Sequence, residues 1–200
     1  TLALSPRLPG LTLKDPHNLT ALHVETPRRD HGKPAWSRAP RRAAPTTPGG
    51  PARPLSIGFY VSWDANSRAS LAAHIRQLDV VSPQWVALAG AKGEIEVTAD
   101  RQATALIAAA PNKPAVLPLV HNSANAAFDS AQADALLGDP AARAALIARL
   151  VDLARAKGYG GYIFDLENLS PRAARLYPGF IAQARAALAR SDRQAWVTAP

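Results

Sequence analysis

Gly158-Tyr-Gly-Gly-Tyr-Ile-Phe-Asp165-Leu-Glu167-Asn-Leu169 is the stretch that decides the fold, because its apolar centre predicts a buried strand. Side chains alternate along a strand, so Ile163, Asp165 and Glu167 are expected to share one face. Two carboxylates at the end of an apolar strand are costly to desolvate, which favours a chemical role for them. The usual role of such a pair is acid chemistry on a sugar or an ester.

The rest of residues 55–200 alternates apolar segments with helical periodicity. The predicted strands are 55–63, 80–88, 115–120, 162–166 and 195–198, and the predicted helices are 67–78, 98–109, 140–157 and 171–189. Thr98 is the expected cap of the second helix, and Asp139-Pro140 and Ser170-Pro171 are strong starts for the last two. Apolar strands separated by helices predict a parallel sheet covered by helices.

Two α/β folds fit this alternation, an open doubly wound sheet and a (β/α)8 TIM barrel. A complete barrel takes ~250 residues, so the spacing favours a barrel of which only the first five β/α units are present. Both folds place their sites at the carboxyl ends of the strands, and location alone does not choose between them. The polar or aromatic residues predicted at those ends are Trp63, Asp64, His121, Asn122, Asp165 and Glu167.

The net charge of +8 is concentrated near the N-terminus. Residues 1–54 contain 9 Lys and Arg against 3 Asp and Glu, and 10 of the 18 prolines, whereas residues 55–200 contain 14 basic against 12 acidic residues. Residues 1–54 are therefore predicted to be a Pro/Arg-rich segment and linker, and 55–200 the folded domain. The basic linker is interpreted as a solvated spacer or a segment that binds anionic lipid or polymer, and no nucleic-acid partner is expected.

Several classes of site are not expected. The chain has no cysteine, which rules out disulfides and cysteine-based sites. The histidines lack metal-ligand spacing, so no metal is predicted. The glycines of 158–161 precede a strand instead of following one, so they are not a dinucleotide loop and no cofactor is predicted. No run of 18 apolar residues is present, and no membrane span is predicted.

The fourth predicted strand resembles the signature of family-18 glycoside hydrolases, Asp-Gly-x-Asp-x-Asp-x-Glu, which ends strand four of a (β/α)8 barrel. Gly161 matches the glycine, Asp165 the last aspartate and Glu167 the glutamate, while Gly160 and Ile163 replace the first two aspartates. The trailing Asn-Leu and capped helix resemble the spore-cortex-lytic and deacetylase-linked branches of that family. Residues 57–64 resemble strand one of bacterial proteins that fuse such a domain to a polysaccharide deacetylase and a family-2 glycosyltransferase.

The resemblance implies substrate-assisted, retaining hydrolysis of a β-linked N-acetylglucosamine polysaccharide. Glu167 would protonate the leaving oxygen and later activate water, and Asp165 would orient the acetamido group of the substrate. The substrate-binding residues expected beside them are Tyr60, Trp63, Asp64 and Asn122. Because Ile163 cannot bond Asp165 as the family's middle aspartate does, Asn122 or Ser123 is the expected partner of Asp165.

The resemblance also implies a setting for the domain. Strands six to eight would lie beyond Pro200, so the chain alone is expected to be inactive. A polysaccharide substrate, fused catalytic domains and membrane-proximal attachment are the partners implied, in a bacterial cell envelope, on the periplasmic or extracellular side.

The same residues admit other interpretations. Asp165 and Glu167 can form structural ion pairs with Arg172 or Arg175, or bind a sugar without cutting it. Trp63 and Asp64 can be a sugar platform, or a core residue and a loop cap. His121 and Asn122 can line the site or belong to a loop. The whole domain can be a glycan-binding barrel or a spacer within a larger deacetylase or glycosyltransferase protein.

Overall fold

In a computed structural model of the chain, the structure is described for residues 54–124 and 127–198. The helices are Ala65–His74 (α1), Arg101–Ala109 (α2), Ser130–Gly138 (α3), Pro140–Lys157 (α4) and Pro171–Ala189 (α5), and a 3-10 turn, Ile75–Gln77, follows α1. The strands are Ile57–Tyr60 (β1), Val80–Pro83 (β2), Val86–Leu88 (β3), Ile95–Val97 (β4), Ala115–Val116 (β5), Leu119–His121 (β6), Ser123–Ala124 (β7), Ala127–Phe128 (β8), Gly161–Asp165 (β9) and Gln194–Val197 (β10). The predicted linker lies outside the described residues apart from Pro54.

Parallel pairing follows the chain order of the five predicted strands, the second of which is formed by β2 and β3 and the third by β5 and β6. One sheet has the order β1-β2-β5, a second has the order β10-β9-β6-β3-β4, and β7 and β8 form a hairpin. All pairs in the first two sheets are parallel except β3 with β4. The amide of Gly160 donates to the Val116 carbonyl at 2.9 Å, which links β5 to the start of β9. This order has no reversal, and a doubly wound sheet requires one.

The strands separate two apolar layers, as the alternation in 162–166 predicts. Ile163 belongs to a small inner cluster with Val80, Leu117 and Leu119, and Trp196 packs against it. Phe164 faces the other way into the main core, where its ring meets Phe180 of α5 at 5.4 Å between centroids. The expected two faces of β9 are therefore confirmed by the burial of its side chains.

Both proline-marked helix starts are confirmed. The Asp139 carboxylate accepts from the amide of Ala141 at 2.8 Å, and the Ser170 hydroxyl accepts from the amide of Ala173 at 3.2 Å. Gly158 ends α4 in the left-handed conformation, with a φ of 69°, as expected for a C-terminal glycine. The helices on either side of β9 thus begin and end where their sequence signals lie.

The predicted cap of α2 is wrong. Asp100, two residues after Thr98, accepts from the amides of Gln102 and Ala103. Asp and Thr are both good caps, and the short strand β4, which the sequence analysis missed, occupies the chain up to Val97 and moves the helix start onward.

Two predicted strands are interrupted. The stretch 80–88 is divided into β2 and β3, and 115–120 into β5 and β6, with Pro83 and Pro118 at or beside the breaks. Proline has no amide hydrogen to donate to a neighbouring strand, which explains a break in pairing at these points. The hairpin of β7 and β8 and the helix α3 were also missed.

None of the described helices has the length and apolar character required to cross a membrane.

Gly161 at the start of β9 permits β10 to approach. Its φ is +144°, and a Cβ atom built there would lie 2.0 Å from the Gln194 carbonyl oxygen. Gln194 is the register partner of Gly161, so the obstruction falls on the β9–β10 pairing itself. Only a residue without a side chain fits this backbone.

We predict that Gly161→Ala lowers the free energy of unfolding by about 1–3 kcal/mol through backbone strain, with a further loss from the clash. The matched control is Gly179→Ala in α5, where an added Cβ meets no atom within 4 Å and the helix gains roughly 0.5–1 kcal/mol. Urea unfolding of both variants measures the difference, and equal stability of Gly161→Ala and the wild type would contradict the account of β10 packing.

Candidate active site

Polar side chains lie close together at the carboxyl ends of neighbouring strands. Gln84 follows β2, and Thr198 follows β10. His121, Asn122 and Ser123 lie at or after the end of β6, and Asp165 and Glu167 lie at or after the end of β9. His121 and Asp165 are register partners on adjacent parallel strands. The carboxyl ends of β6, β9 and β10, which are neighbours in one sheet, therefore collect most of these groups. Gln84 reaches them from the end of β2 in the other sheet, through its hydrogen bond to Ser123.

The Asp165 carboxylate is held by the hydroxyl of Thr198, which follows the neighbouring strand β10. It is the half-buried last residue of β9, and its Oδ1 accepts a hydrogen bond from Thr198 Oγ1 at 2.6 Å. The Thr198 amide donates to the Phe164 carbonyl at 3.1 Å, so backbone pairing fixes the hydroxyl in place. A hydroxyl-to-carboxylate distance of this length is typical of a charge-assisted bond.

The predicted partner of Asp165 is therefore wrong. Neither Asn122 nor Ser123 bonds its carboxylate, because their polar groups are engaged elsewhere at the end of β6. Thr198 was missed because it lies 33 residues away along the chain. The available signal was that Thr198 is the last residue of the fifth predicted strand and Asp165 the last but one of the fourth, so both lie near the carboxyl ends of neighbouring strands.

Asn122 fixes the backbone of Glu167. It is 1% exposed, its Oδ1 accepts from the Glu167 amide at 2.9 Å, and its Nδ2 donates to the Glu167 carbonyl at 2.9 Å. Nδ2 also donates to the Asp129 carbonyl at 3.1 Å. Both amide hydrogens are thereby used, and the exposed side chain of Glu167 projects from a backbone that Asn122 holds on both sides. The predicted contact between Asn122 and a sugar stays a prediction.

His121, Ser123 and Gln84 form a chain of polar contacts behind Asp165. Ser123 Oγ lies 2.7 Å from His121 Nδ1, and Gln84 Nε2 donates to Ser123 Oγ at 3.2 Å. Burial lowers the pKa of His121, against the opposing effects of the Asp165 charge and a backbone hydrogen bond with Ser123. The imidazole is thereby favoured in its neutral form next to a carboxylate.

Tyr177 of α5 is a partly buried tyrosine that is affected by the charge of Asp165. Burial raises the pKa of Tyr177 to about 12, and the negative charge of Asp165 adds to the rise. Its ring stacks on Phe180 with 6.3 Å between centroids. The hydroxyl therefore remains protonated at neutral pH.

The three residues predicted near β1 occupy different environments. Tyr60 is 1% exposed, and its hydroxyl donates to the carboxylate of Asp100. Trp63 is 71% exposed, so the open interpretation of this residue as a core residue is wrong. Asp64 caps α1 by accepting from the amide of Asn66 at 2.8 Å, so its interpretation as a cap is confirmed. Sugar contacts by these three residues stay predictions.

The alternative in which Asp165 and Glu167 form structural ion pairs loses support. Among the residues that the structure describes, neither Asp165 nor Glu167 forms an ion pair with Arg172 or Arg175, whereas Arg68 and Asp100 form one at 3.6 Å. Within the same part of the chain, no group of three or more His, Asp or Glu is placed to hold a metal ion.

Comparison with solved structures identifies the fold. The chain resembles a class V chitinase from Pseudomonas fluorescens Pf-5, with 24% identity and a TM-score of 0.67 over 74% of this chain and 45% of that one. It also resembles the spore cortex-lytic enzyme SleL of Bacillus megaterium QM B1551, with 19% identity and a TM-score of 0.64 over 77% and 38%. A GH18 chitinase from Cycas revoluta, solved in complex with (GlcNAc)4, matches with 15% identity and a TM-score of 0.58 over 69% and 42%.

These matches show that the chain has a family-18 chitinase-like fold, which confirms the fold implied by the resemblance of the fourth strand. No protein-family model and no curated protein matches the sequence. The chain spans less than half the length of each of these structures.

We predict that Asn122→Asp lowers the free energy of unfolding by about 1–3 kcal/mol, because it removes the donor to two backbone carbonyls while keeping the shape of the side chain. The control is Asn168→Asp, beside Glu167, where the residue is exposed and adopts a left-handed φ of 55° that aspartate tolerates. Thermal unfolding compares the two, and equal losses would show that Asn122 does not hold the Glu167 backbone.

Proposed function

We propose that this chain belongs to a glycoside hydrolase that cleaves a β-linked, N-acetylglucosamine-containing polysaccharide by a substrate-assisted, retaining mechanism. The observation that carries the proposal is the placement of Asp165 and Glu167 at the end of β9, one held by Thr198 and the other through its backbone by Asn122. A pair of acids fixed at this edge of a chitinase-like fold is suited to act on a glycosidic bond.

Asp165 orients the substrate in this proposal. Thr198 occupies its Oδ1, so Oδ2 is left to accept the N–H of the substrate's acetamido group. The carbonyl oxygen of that group then attacks the anomeric carbon, and the negative charge of Asp165 stabilises the cationic ring that forms. The hydroxyl of Thr198 limits rotation of the carboxylate and keeps it aligned for this contact.

Glu167 performs the proton transfers. In the first step it gives its proton to the leaving glycosidic oxygen as the bond to the anomeric carbon breaks. In the second step its carboxylate takes a proton from water, whose oxygen attacks the anomeric carbon and restores the acetamido group. The exposed position of Glu167 allows both a leaving group and a water molecule to reach it.

We propose further that the chain comprises the first five β/α units of the eight in a complete barrel. The sequential parallel order and the coverage of less than half of each matched structure support this. Ile57 and Phe59 of β1 and Val197 of β10 are 38%, 61% and 47% exposed. These strands are the outermost of their sheets, where additional strands would pair in a closed barrel.

A second candidate is a glycan-binding barrel or spacer that does not cut its ligand. The observation in its favour is that Ile163, at the position of the family's middle aspartate, packs in the inner apolar cluster and offers no proton to Asp165. We place either activity at a bacterial cell envelope, and a polysaccharide is the partner in both cases.

The test is the release of reducing ends from N-acetylglucosamine oligomers by the complete gene product that contains this chain. We predict that Glu167→Gln lowers kcat about 10²–10⁴-fold, the range typical of general acid–base groups, while the oligomers still bind. The matched control is Glu96→Gln, an exposed glutamate of β4, which is expected to leave kcat unchanged.

De-N-acetylated oligomers serve as the second control, because a mechanism that uses the acetamido oxygen cannot cleave them. Binding of acetylated oligomers without any turnover by the wild type would favour the glycan-binding barrel. Cleavage of both oligomers at equal rates would contradict the substrate-assisted mechanism.

A further inference from the structure

His121 lies on the same face of the sheet as Asp165. In β6, Leu119 belongs to the inner apolar cluster and Val120 to the main core, so alternation returns His121 to the inner face. Its register partner on β9 is Asp165, which is two residues beyond Ile163 of the same inner cluster. The imidazole and the carboxylate are therefore neighbours across two parallel strands.

The hydrogen bonds of His121 determine its tautomer. The backbone amide of Ser123 lies 3.3 Å from Nδ1 and can only donate, so Nδ1 is the acceptor. Gln84 Nε2 donates to Ser123 Oγ, which leaves the hydroxyl hydrogen free to donate to the same Nδ1 at 2.7 Å. A neutral imidazole that accepts at Nδ1 carries its hydrogen on Nε2.

Both hydrogen bonds that the His121 ring makes with other described residues are at Nδ1, which leaves Nε2 without a hydrogen-bond partner among those residues. His121 is 7% exposed as a residue. Nδ1 is bound on the β7 side, so Nε2 points away from Ser123. An N–H group in this position, next to a carboxylate that accepts, is a donor for an oxygen of a bound molecule.

We propose that His121 is a further substrate-contacting residue, a neutral imidazole that donates through Nε2–H to an oxygen of the same sugar unit whose amide N–H is accepted by Asp165. This inference rests on the proposed function of the site. The two side chains together recognise one donor and one acceptor of the sugar. Ser123 and Gln84 act as positioning residues, because they fix the tautomer without reaching the sugar.

Two substitutions separate the two ring nitrogens. In His121→Asn the amide group overlays Nδ1, which preserves the contact with Ser123 and removes the outer donor. In His121→Gln the longer side chain places an N–H near the position of Nε2. The tautomer of the wild-type imidazole is read independently by two-bond ¹H–¹⁵N correlation spectroscopy of the unliganded protein, with Ser123→Ala as the variant that releases it.

The binding experiment uses Glu167→Gln in the complete gene product, so that N-acetylglucosamine tetramer binds without being cleaved. We expect His121→Asn in this background to weaken the Kd about three- to tenfold, the effect of losing one neutral hydrogen bond, and His121→Gln to restore most of the affinity. We also expect the Nε2–H tautomer in the wild type and a mixture of tautomers in Ser123→Ala.

The outcomes distinguish this inference from the proposed function. Equal affinity of His121→Asn and its parent, or an Nδ1–H tautomer in the wild type, would overturn the role of His121 while leaving Glu167 and Asp165 as proposed. Absence of tetramer binding in the parent itself would overturn the proposed function, and with it the sugar contact of His121.

Discussion

The parallel pairing of β6, β9 and β10 is the constraint on which the site depends. It places His121 opposite Asp165 and brings Thr198 within 2.6 Å of the Asp165 carboxylate. No local sequence signal produces these contacts, because the residues are separated by tens of positions along the chain. Because Gly161 has no side chain, β10 can approach β9 closely enough for Thr198 to reach the Asp165 carboxylate.

The second support of the site is a single buried amide. Asn122 uses both of its amide hydrogens and its oxygen on the backbone of Glu167 and Asp129. A buried amide satisfied in this way rigidifies the segment it bonds. Asn122 therefore fixes the backbone of Glu167 and Thr198 fixes the carboxylate of Asp165, while the Glu167 side chain remains exposed.

The sequence was sufficient for the features that depend on local chemistry. The proline-marked caps at Asp139 and Ser170, the alternation along β9 and the chitinase-like fold were predictable because each follows from neighbouring residues or from one motif. The partner of Asp165 was not predictable in the same way. It required the register between strands, and the register is set by packing of the whole sheet and by the breaks at Pro83 and Pro118.

The roles predicted near β1 show a further limit of sequence reasoning. Tyr60 and Trp63 are both aromatic and lie three residues apart, yet one is 1% and the other 71% exposed. Strand alternation and the turn after β1 separate them, and the buried hydroxyl of Tyr60 is satisfied by Asp100 at the start of α2. Residue type alone therefore identifies neither as a sugar contact.

The most direct test of the account is the anomeric configuration of the first product released from N-acetylglucosamine oligomers, followed by ¹H NMR in the complete gene product. Attack by the acetamido oxygen that Asp165 orients predicts that the β-anomer appears first and then mutarotates. Initial appearance of the α-anomer would contradict the account, because it requires water to attack directly without the participation of that group.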